Sequence, residues 1–376
     1  MKPLKILALV LFLAAAACVL THTPALADKL ADAVQEATAA GKIDPAKPAG
    51  FLGIPGAPSV TWWVGLLWAV WVGWIFSTVG AFGGIMAAIG HMTVFGLAGY
   101  AKGFGKTLKL NKVVTDSIRA SNQYLVGTSA AFASFNYWKM GRLVLPLGLA
   151  LGVGTIVSSA LVPMFSAGKI SLSSYQGYFG LFVLLLGGYL IYQLTPASKA
   201  KKKAASAAAK AFQESVKKGG NLTEQGVKIK SFTLSRCVFT FFGVEFSFNP
   251  IVPVIGAFII GAVASFLGVG GGFLLVPFLT AVAGLPMYLV AGTSSLGVFI
   301  GMVTSIISYM WQGTPIAWSF VGAEMIGILI GSFIGPKTSK YIPDTALKVI
   351  FIVLALYTGI NYTLQGFWGI TLIAGS

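Results

Sequence analysis

One eight-residue pattern of serine and glycine occurs twice in this chain, each time inside a strongly apolar stretch. The first copy, Ser77–Gly84, reads STVGAFGG, and the second, Ser265–Gly272, reads SFLGVGGG. Glycine clusters interrupt a membrane helix, and such an interruption survives at membrane depth only where it is buried in protein or lines a polar cavity. Paired interruptions in corresponding halves point to a binding site. The pattern therefore predicts a duplicated membrane protein.

Two further elements follow the glycine pattern in the same order in both halves. The first is Gly-Thr-Ser, at Gly127–Ser129 and at Gly292–Ser294. The second is a polar residue and a tyrosine with a glycine four residues after the tyrosine: Asn136, Tyr137 and Gly141, then Ser308, Tyr309 and Gly313. The distance from glycine pattern to tripeptide is longer in the first half, which predicts an insertion around Ala101–Ser121.

Composition excludes a soluble domain. Hydrophobic residues make up 56% of the chain and charged residues 10%, and the mean hydropathy is +0.84. A helix that crosses a bilayer needs about 20 predominantly apolar residues. Five windows have this character: Val60–Thr78, Leu143–Phe165, Tyr178–Leu194, Pro315–Ile334 and Leu347–Leu364. We therefore expect an all-α polytopic membrane protein with two inverted pseudo-symmetric repeats and glycine-broken or re-entrant helices.

The chain divides into six segments. Lys2 and Lys5 precede an apolar run, and Ala25–Ala27 offers a small-residue cleavage site, as in an export signal. An uncleaved N-terminal anchor is the alternative. The expected segments are 1–27 signal or anchor, 28–59 polar extracytoplasmic arm, 60–194 first transmembrane repeat, 195–236 basic linker, 237–366 second repeat and 367–376 tail.

Positive charges predict the topology, because they favour cytoplasmic loops. Thr195–Arg236 holds ten Lys or Arg, so this linker is expected in the cytoplasm, and its charge indicates contact with lipid headgroups rather than nucleic acid. Lys337 and Lys340 place the next loop inside, so the tail ends outside. Each half then crosses an odd number of times, which predicts opposed orientations.

A second cluster of basic residues, Lys102, Lys106, Lys109, Lys112 and Arg119, favours an inside position for the connection after the first glycine element. With both ends of the next stretch inside, the chain around Gly127–Ser129 would form a re-entrant or broken helix. Two short crossings are the alternative, and either option keeps the number of crossings odd. Arg119 could also attract an anion toward the inner mouth.

The repeated elements carry hydrogen-bond donors and neither a carboxylate nor a cation. Glycine allows a ligand to approach the backbone closely, and a half-helix N-terminus favours negative charge. We therefore expect an oxyanion site. The expected substrate-binding residues are Gly83, Gly84, Asn122, Thr128, Ser129, Asn136, Gly270, Gly271, Gly272, Thr293, Ser294 and Ser295. The alternative for each hydroxyl is a bond to its own helix.

Two titratable residues are candidates for proton coupling. Glu324 lies well inside an expected span, where an ionisable group is costly. His91 follows the first glycine element and can titrate near neutral pH. Either residue can instead serve as an ordinary interhelical hydrogen-bonding group. The sequence shows no Cys/His cluster with metal-ligand spacing and no nucleophile-and-base set, so we expect no metal, no cofactor and no enzyme.

The second-half motif, Gly268–Gly272 with Pro277, Pro286, Ala291–Ser294 and Gly313, resembles the sulfite exporter TauE/SafE family. The resemblance extends over roughly Val60–Leu364. It implies secondary transport of a sulfur-containing oxyanion, such as sulfite, sulfate, thiosulfate or an organosulfonate, across the bacterial inner membrane. An anion channel and a non-transporting membrane assembly subunit remain alternatives. The glycines also allow a homodimer.

Overall fold

The structure is a computed structural model that describes residues 24–80, 83–171, 176–195, 203–218, 224–267, 272–281, 283–370 and 372. Residues 1–23, which hold most of the expected export signal or anchor, lie outside the described residues. The described chain is predominantly helical, with one small antiparallel sheet between its two halves. The expected all-α polytopic architecture is confirmed.

The helices of the N-terminal arm and the first half are α1 (Pro24–Ala39), α2 (Trp62–Ile75), α3 (Gly83–Ile89), α4 (Leu97–Gly103), α5 (Lys109–Lys139), α6 (Leu145–Ser166) and α7 (Gln176–Leu194). Those of the linker and second half are α8 (Lys203–Lys217), α9 (Ile251–Leu267), α10 (Gly272–Ala281), α11 (Met287–Trp311), α12 (Trp318–Ser339) and α13 (Asp344–Trp368). The strands are β1 (Lys228–Phe232), β2 (Cys237–Phe241) and β3 (Val244–Phe248).

Four of the described helices are long and apolar enough to cross a membrane: α6, α11, α12 and most of α13. A fifth span results if Gly83–Val94 and Leu97–Gly103, which are bent by 56° relative to each other, are taken together. Both α2, which continues into a π-helical turn at Phe76–Gly80, and α3, which continues into another at Gly90–Val94, depart from regular helix. Irregular helix near the first glycine element is therefore confirmed.

Helix α5 runs unbroken for 31 residues, about 46 Å at 1.5 Å per residue. At its start Lys109 pairs with Glu36 of α1, and just past its end the carbonyl of Gly141 accepts a hydrogen bond from Val227 of the linker. We call these the arm end and the linker end of the bundle. The expected re-entrant helix at Gly127–Ser129 is therefore wrong.

The first-half lysines lie at the arm end of α5. Lys109 pairs with Glu36 of the N-terminal arm, at the opposite end of this helix from the basic linker. Arg119 does not lie at the surface, because only 2% of it is exposed. The expected insertion around Ala101–Ser121 corresponds in part to α4 and the loop after it, whereas residues from Lys109 onward belong to α5.

The helices pair in a pattern that repeats when the halves are exchanged. Helix α2 of the first half packs on α12 of the second, and α9 of the second half packs on α6 of the first. In the same way, α5 packs on α12 and α11 packs on α6. Helix α5 also contacts α11, and α7 contacts α13. Small residues allow the backbones to approach closely. A Cβ on Gly331 would collide with the carbonyl of Val70 in α2, and a Cβ on Gly154 would collide with that of Val254 in α9.

The segments outside the bundle are folded. Ala33 and Ala37 of α1 are buried, and α1 packs against α5, so the expected polar arm covers the arm end. In the linker, β1, β2 and β3 form one sheet in that order. This sheet joins residues on both sides of the boundary expected at residue 236.

Candidate functional site

The two glycine elements lie close to one another in the bundle. The first contributes α3, which begins at Gly83 and buries both Gly83 and Gly84. The second contributes the end of α9 and the start of α10 at Gly272, while Gly270 and Gly271 lie outside the described residues. Helices α3 and α10 contact each other, so the duplicated elements of the two halves meet.

One polar face of α5 contacts both elements. Arg119, Asn122 and Gln123 follow the i, i+3, i+4 spacing that places side chains on one side of a helix, and none of them is more than 2% exposed. The Asn122 amide nitrogen donates to the carbonyl oxygen of Gly84 at 3.2 Å. The Arg119 guanidinium donates to the carbonyl oxygen of Ser265 at 2.9 Å. This face therefore joins the glycine elements of the two halves.

Arg119 is held by several partners. Its Nη1 donates to Asp116 Oδ1 at 3.1 Å, and its Nη2 donates to the Ser166 hydroxyl at 3.1 Å. The guanidinium carbon lies 5.6 Å from the centre of the Tyr309 ring. Asp116 also accepts a hydrogen bond from the Gly168 amide at 2.6 Å. The carboxylate compensates the buried charge, as burial of a cation requires.

Gln123 differs from Arg119 because neither its amide nitrogen nor its amide oxygen has a hydrogen-bond partner, although the side chain is fully buried. A buried polar group without a partner loses the hydrogen bonds it made to water. Ser117 and Ser121 of the same helix also have hydroxyls without a partner. Such groups can bind a ligand that accepts hydrogen bonds, and Arg119 one turn away adds positive charge.

A cavity of about 180 Å³ opens at the arm end above this face. Its lining includes Asp116, Gly168, Gln312 and Lys29, whose ammonium donates to the carbonyl oxygen of Gln312 at 2.7 Å. The cavity thus reaches the carboxylate that pairs with Arg119. It places a second cation, from α1, on the approach to the buried guanidinium.

Three of the expected first-half residues lie farther along α5. Ser129 and Ser332 share a hydrogen bond of 2.7 Å between their hydroxyls, and the Asn136 amide donates to the carbonyl oxygen of Ser332 at 3.4 Å. Thr128 is buried beside them in sequence. Asn136 is fourteen residues from Asn122, about 21 Å along a straight helix. One compact site therefore does not hold both asparagines.

The second-half hydroxyls expected to bind substrate form hydrogen bonds within the protein. Thr293 accepts a hydrogen bond from the Val144 amide at 3.2 Å. Ser294 and Ser295 both donate to the carbonyl oxygen of Ala291, at 3.4 and 2.6 Å. All three lie in α11, which is continuous from Met287 to Trp311. Bonds to the own helix, the alternative open from the sequence, describe Ser294 and Ser295.

The ends of α5 and α11 give the register of the duplication. Each helix is followed by a glycine with positive φ, Gly141 at 66° and Gly313 at 70°. In this register Asn136 corresponds to Ser308, and both donate to a carbonyl of the other half: Asn136 to Ser332, and Ser308 to Ala160.

Counting back from these ends, the counterpart of Thr293-Ser294-Ser295 is Ser121-Asn122-Gln123 and not the stretch that contains Thr128 and Ser129. In this register the two Gly-Thr-Ser tripeptides do not correspond, because they lie seven residues, about two helical turns, apart.

The two proton-coupling candidates contact each other. His91 Nε2 lies 2.8 Å from Glu324 Oε2, and each side chain is 1% exposed. Phe95 and Phe320 pack around the imidazole ring, with ring centres 6.1 and 5.8 Å away. His91 Nδ1 and Glu324 Oε1 have no hydrogen-bond partner. The sequence identified each residue separately, but nothing in it indicated that they form a pair.

Gln123 and Ser265 are site residues that the sequence interpretation missed, and Arg119 was interpreted mainly as a topology signal. One signal was present: Arg119, Asn122 and Gln123 share a helical face, and no glycine or proline falls between Lys106 and Val126. Such a stretch favours one long helix. Within the described residues, no group of three His, Cys, Asp or Glu side chains has the arrangement of a metal site.

Known proteins match this chain over two different extents. The sulfite exporter TauE/SafE family matches residues 65–362. Probable membrane transporter protein YunE of Bacillus subtilis is 23% identical over 121 residues, which are 32% of this chain and 44% of the relative. Probable membrane transporter protein MJ0441 of Methanocaldococcus jannaschii is 31% identical over 124 residues, 31% of this chain and 46% of the relative.

The matched part of the chain spans less than half the length of each of these two relatives. No solved structure matches the chain. The family match, by contrast, includes every helix from α3 to α12 and the polar face of α5. This multi-pass membrane protein, with two glycine elements meeting on a buried polar helix, belongs to the sulfite exporter TauE/SafE family of membrane transporters.

Proposed function

We propose that this protein is a secondary transporter that moves a sulfur-containing oxyanion, such as sulfite, sulfate, thiosulfate or an organosulfonate, by alternating access. It acts in the bacterial inner membrane, with the linker in the cytoplasm and the C-terminus outside. The observation that supports the proposal is the polar face of α5, where Asn122 and Arg119 bond the glycine elements of the two halves and Gln123 lies buried without a partner. The family name supports the choice of a sulfur anion.

The chemistry of this face suits an oxyanion. A guanidinium forms two parallel hydrogen bonds with an anion that presents two oxygens, and hydrogen bonds to charged groups are stronger than neutral ones. Gln123 adds an amide donor without a partner. Without a ligand, Asp116 balances the charge of Arg119. A bound anion would share the Arg119 guanidinium with Asp116.

Burial favours a carrier over a channel. The three side chains of this face are almost completely enclosed, whereas a channel keeps a continuous aqueous path to its binding groups. The cavity that contains Lys29 and Asp116 provides access from the arm end. Alternating access then requires that the same face become open toward the linker end and closed toward the arm.

Two halves of opposite orientation would provide this exchange. The proposal of inverted repeats is supported by the pairing of α2 with α12 and of α9 with α6, which exchange when the halves are exchanged. It is also supported by the matching bonds of Asn136 and Ser308 to the other half. Related halves can adopt each other's conformation, which opens one end as the other closes.

The His91–Glu324 pair is the proposed proton-coupling element. A histidine and a carboxylate in hydrogen-bond contact can hold one proton between them or bind a second, and the net charge of the pair changes accordingly. Among the described residues, no other charged group lies within ion-pair distance of the two. Burying an ionisable pair inside a membrane protein is costly, which marks the pair as a functional candidate.

Counterflow in proteoliposomes tests the proposal. Purified protein is offered sulfite, sulfate, thiosulfate, a sulfonate and chloride, and each is compared in wild type, Arg119→Gln and Gln123→Leu. We expect saturable exchange of a sulfur anion. Each substitution should raise KM by about 10- to 100-fold, the equivalent of about 1.5–3 kcal/mol for a hydrogen bond to a charged group.

Gln123→Leu makes the test independent of folding. Removing a buried polar group without a partner should leave stability unchanged or raise it. Wild-type KM in a well-folded Gln123→Leu protein would disprove the role of this face. Flux that neither saturates nor exchanges would identify a channel, and no flux of any sulfur anion would overturn the substrate.

A further inference from the structure

Arg142, three residues past the end of α5, is a second buried guanidinium that the proposed site does not use. It is 1% exposed and lies at the linker end. Its Nε donates to the carbonyl oxygen of Tyr288 at 3.2 Å and its Nη1 to the Ser339 hydroxyl at 3.4 Å. Its Nη2 has no hydrogen-bond partner. No carboxylate within the described residues lies in ion-pair range of it.

Aromatic rings enclose this cation. The guanidinium carbon lies 4.6, 5.1 and 5.3 Å from the ring centres of Tyr137, Phe212 and Tyr288. Cation–π contacts stabilise a buried cation, but they do not neutralise its charge. The Arg142 guanidinium is therefore a positive group held in one orientation, and its Nη2 has no hydrogen-bond acceptor.

The surroundings of Arg142 repeat those of Arg119 at the other end of the bundle. Each guanidinium lies on a tyrosine four residues before a positive-φ glycine, Tyr309 for Arg119 and Tyr137 for Arg142. Each bonds the last serine of a corresponding helix, Ser166 in α6 and Ser339 in α12.

The serines that begin the two glycine elements complete the correspondence. The carbonyl of Ser265 accepts from Arg119, and the carbonyl of Ser77 accepts from the Tyr137 hydroxyl. The two arginines occupy different positions in the sequence and do not correspond in the register of the duplication. The fold nevertheless gives each arginine a corresponding tyrosine and a corresponding serine as neighbours. They differ in charge balance, because Asp116 compensates Arg119 and no described acid compensates Arg142.

We propose that Arg142 binds an oxyanion at the linker end, as the counterpart of the Arg119 site at the arm end. The ligand is a small sulfur oxyanion or the phosphate of a lipid headgroup, which share the same acceptor chemistry. The ligand supplies the negative charge that the protein does not. The link to transport rests on the proposed function, whereas anion binding by Arg142 does not.

Helix α8 of the linker covers this site. Its Phe212 packs on both the guanidinium and the Tyr288 ring, whose centre is 4.3 Å away. The neighbouring Gln213 amide donates to the Tyr288 hydroxyl at 2.9 Å. An anion reaches Arg142 only when Phe212 moves aside, so α8 acts as a lid. Binding and lid opening are then coupled, because each favours the same arrangement.

Hydrogen exchange of the α8 amides provides a local readout. Full-length protein in nanodiscs of zwitterionic lipid is exposed to sulfite, thiosulfate or phosphate, and a separate sample contains anionic phosphatidylglycerol without added anion. We expect an oxyanion to increase the exchange rate of α8 at least about threefold. The response should vanish in Arg142→Gln and persist in Lys139→Gln, which removes an exposed charge at the same end.

Phe212→Ala provides a variant that keeps the arginine. Without the covering ring, we expect sulfite to bind at least about threefold more tightly, even if Arg142→Gln does not fold. An α8 segment that responds to no anion in wild type, or that responds equally in Arg142→Gln, would overturn the proposal. A response to phosphatidylglycerol alone would identify the headgroup of an anionic lipid as the ligand and overturn the free anion.

The two proposals fail separately. Intact counterflow with no α8 response disproves the Arg142 site and leaves the transport function in place. An α8 response to phosphate that depends on Arg142, without counterflow of any sulfur anion, supports the site and overturns the proposed substrate.

Discussion

Gln123 and Thr293 are both fully buried, yet their hydrogen bonds give them different roles. Thr293 satisfies the backbone amide of Val144, which would otherwise be buried without an acceptor at the start of α6. Gln123 satisfies nothing within the described protein. Removing the Thr293 hydroxyl should therefore lower the stability of the protein. Removing the Gln123 amide should weaken only the binding of a ligand.

Thr293→Val tests this distinction. We expect the variant to lose about 1–3 kcal/mol of stability, because the Val144 amide is left without an acceptor, while KM for the transported anion stays near the wild-type value. Thermal unfolding in detergent and counterflow measure the two quantities. Gln123→Leu is the matched control with the opposite pattern. A large rise in KM for Thr293→Val at unchanged stability would instead return this residue to the binding site.

Glu324→Gln tests proton coupling. The amide keeps the size of the side chain and can still bond His91, but it cannot exchange a proton with it. We expect the pH dependence of uptake to be lost while the protein still folds. Glu245→Gln is the control, since that acid lies exposed on the linker sheet, where a hydrogen bond from Lys230 lowers its pKa. Uptake by Glu324→Gln with the wild-type pH profile rejects the coupling role.

The pairing of helix α2 with helix α12 depends on close approach of their backbones. Gly331 lies against the carbonyl of Val70, and Gly73 of α2 lies against the carbonyl of Ile328. The two glycines serve the same contact from opposite sides. Helices that pack in a membrane gain little from the hydrophobic effect and rely on such contacts. The exchange of contacts proposed for alternating access would begin from this pairing.

Gly331→Ala should therefore destabilise the protein by about 1–3 kcal/mol, because the added methyl overlaps the Val70 carbonyl and must push the helices apart. Gly322→Ala, in the same helix, is the control, since a methyl there meets no atom within 4 Å. Thermal unfolding of both variants in detergent gives the comparison. Equal unfolding temperatures for the two would contradict close packing of α2 on α12.

Helix α5 separates the N-terminal arm from the basic linker. Lys109 pairs with Glu36 at one end, and Gly141 bonds Val227 at the other. A helix of this length is longer than the hydrocarbon core of a bilayer is thick, although α5 is too polar to be one of the four apolar candidate spans. We therefore predict that the lysines before α5 and those of the linker lie on opposite sides of the membrane. Positive charge alone placed them on the same side.

Accessibility of introduced thiols tests this arrangement. Lys106 and Ser235 are both exposed, the first beside the arm and the second in the linker. We expect a membrane-impermeant thiol reagent, added to intact cells with a permeable outer membrane, to label Lys106→Cys and not Ser235→Cys. Labelling of both after lysis is the control. Protection of both positions in intact cells would place the lysines inside, as the charge pattern alone indicated.

The amino-acid sequence was enough to identify the membrane class and the family. The internal duplication and the preference for an anion stay predictions. These properties follow from composition and from short repeated patterns, which do not depend on contacts between distant residues. Gly83, Gly84 and Asn122, chosen on that basis, lie together at the candidate site. The linker was also recognised, although its sheet was not.

Which polar residues meet depends on how the whole chain folds. The pairing of His91 with Glu324, and that of Arg119 with Ser265, joins residues more than a hundred positions apart, and no local pattern encodes such distances. The register between the two halves likewise became clear only from the ends of α5 and α11. The identical Gly-Thr-Ser tripeptides at Gly127 and Gly292 lie at different distances from those ends. The packing of the helices determines these positions. Packing depends on contacts throughout the chain, so a short sequence pattern does not reveal it.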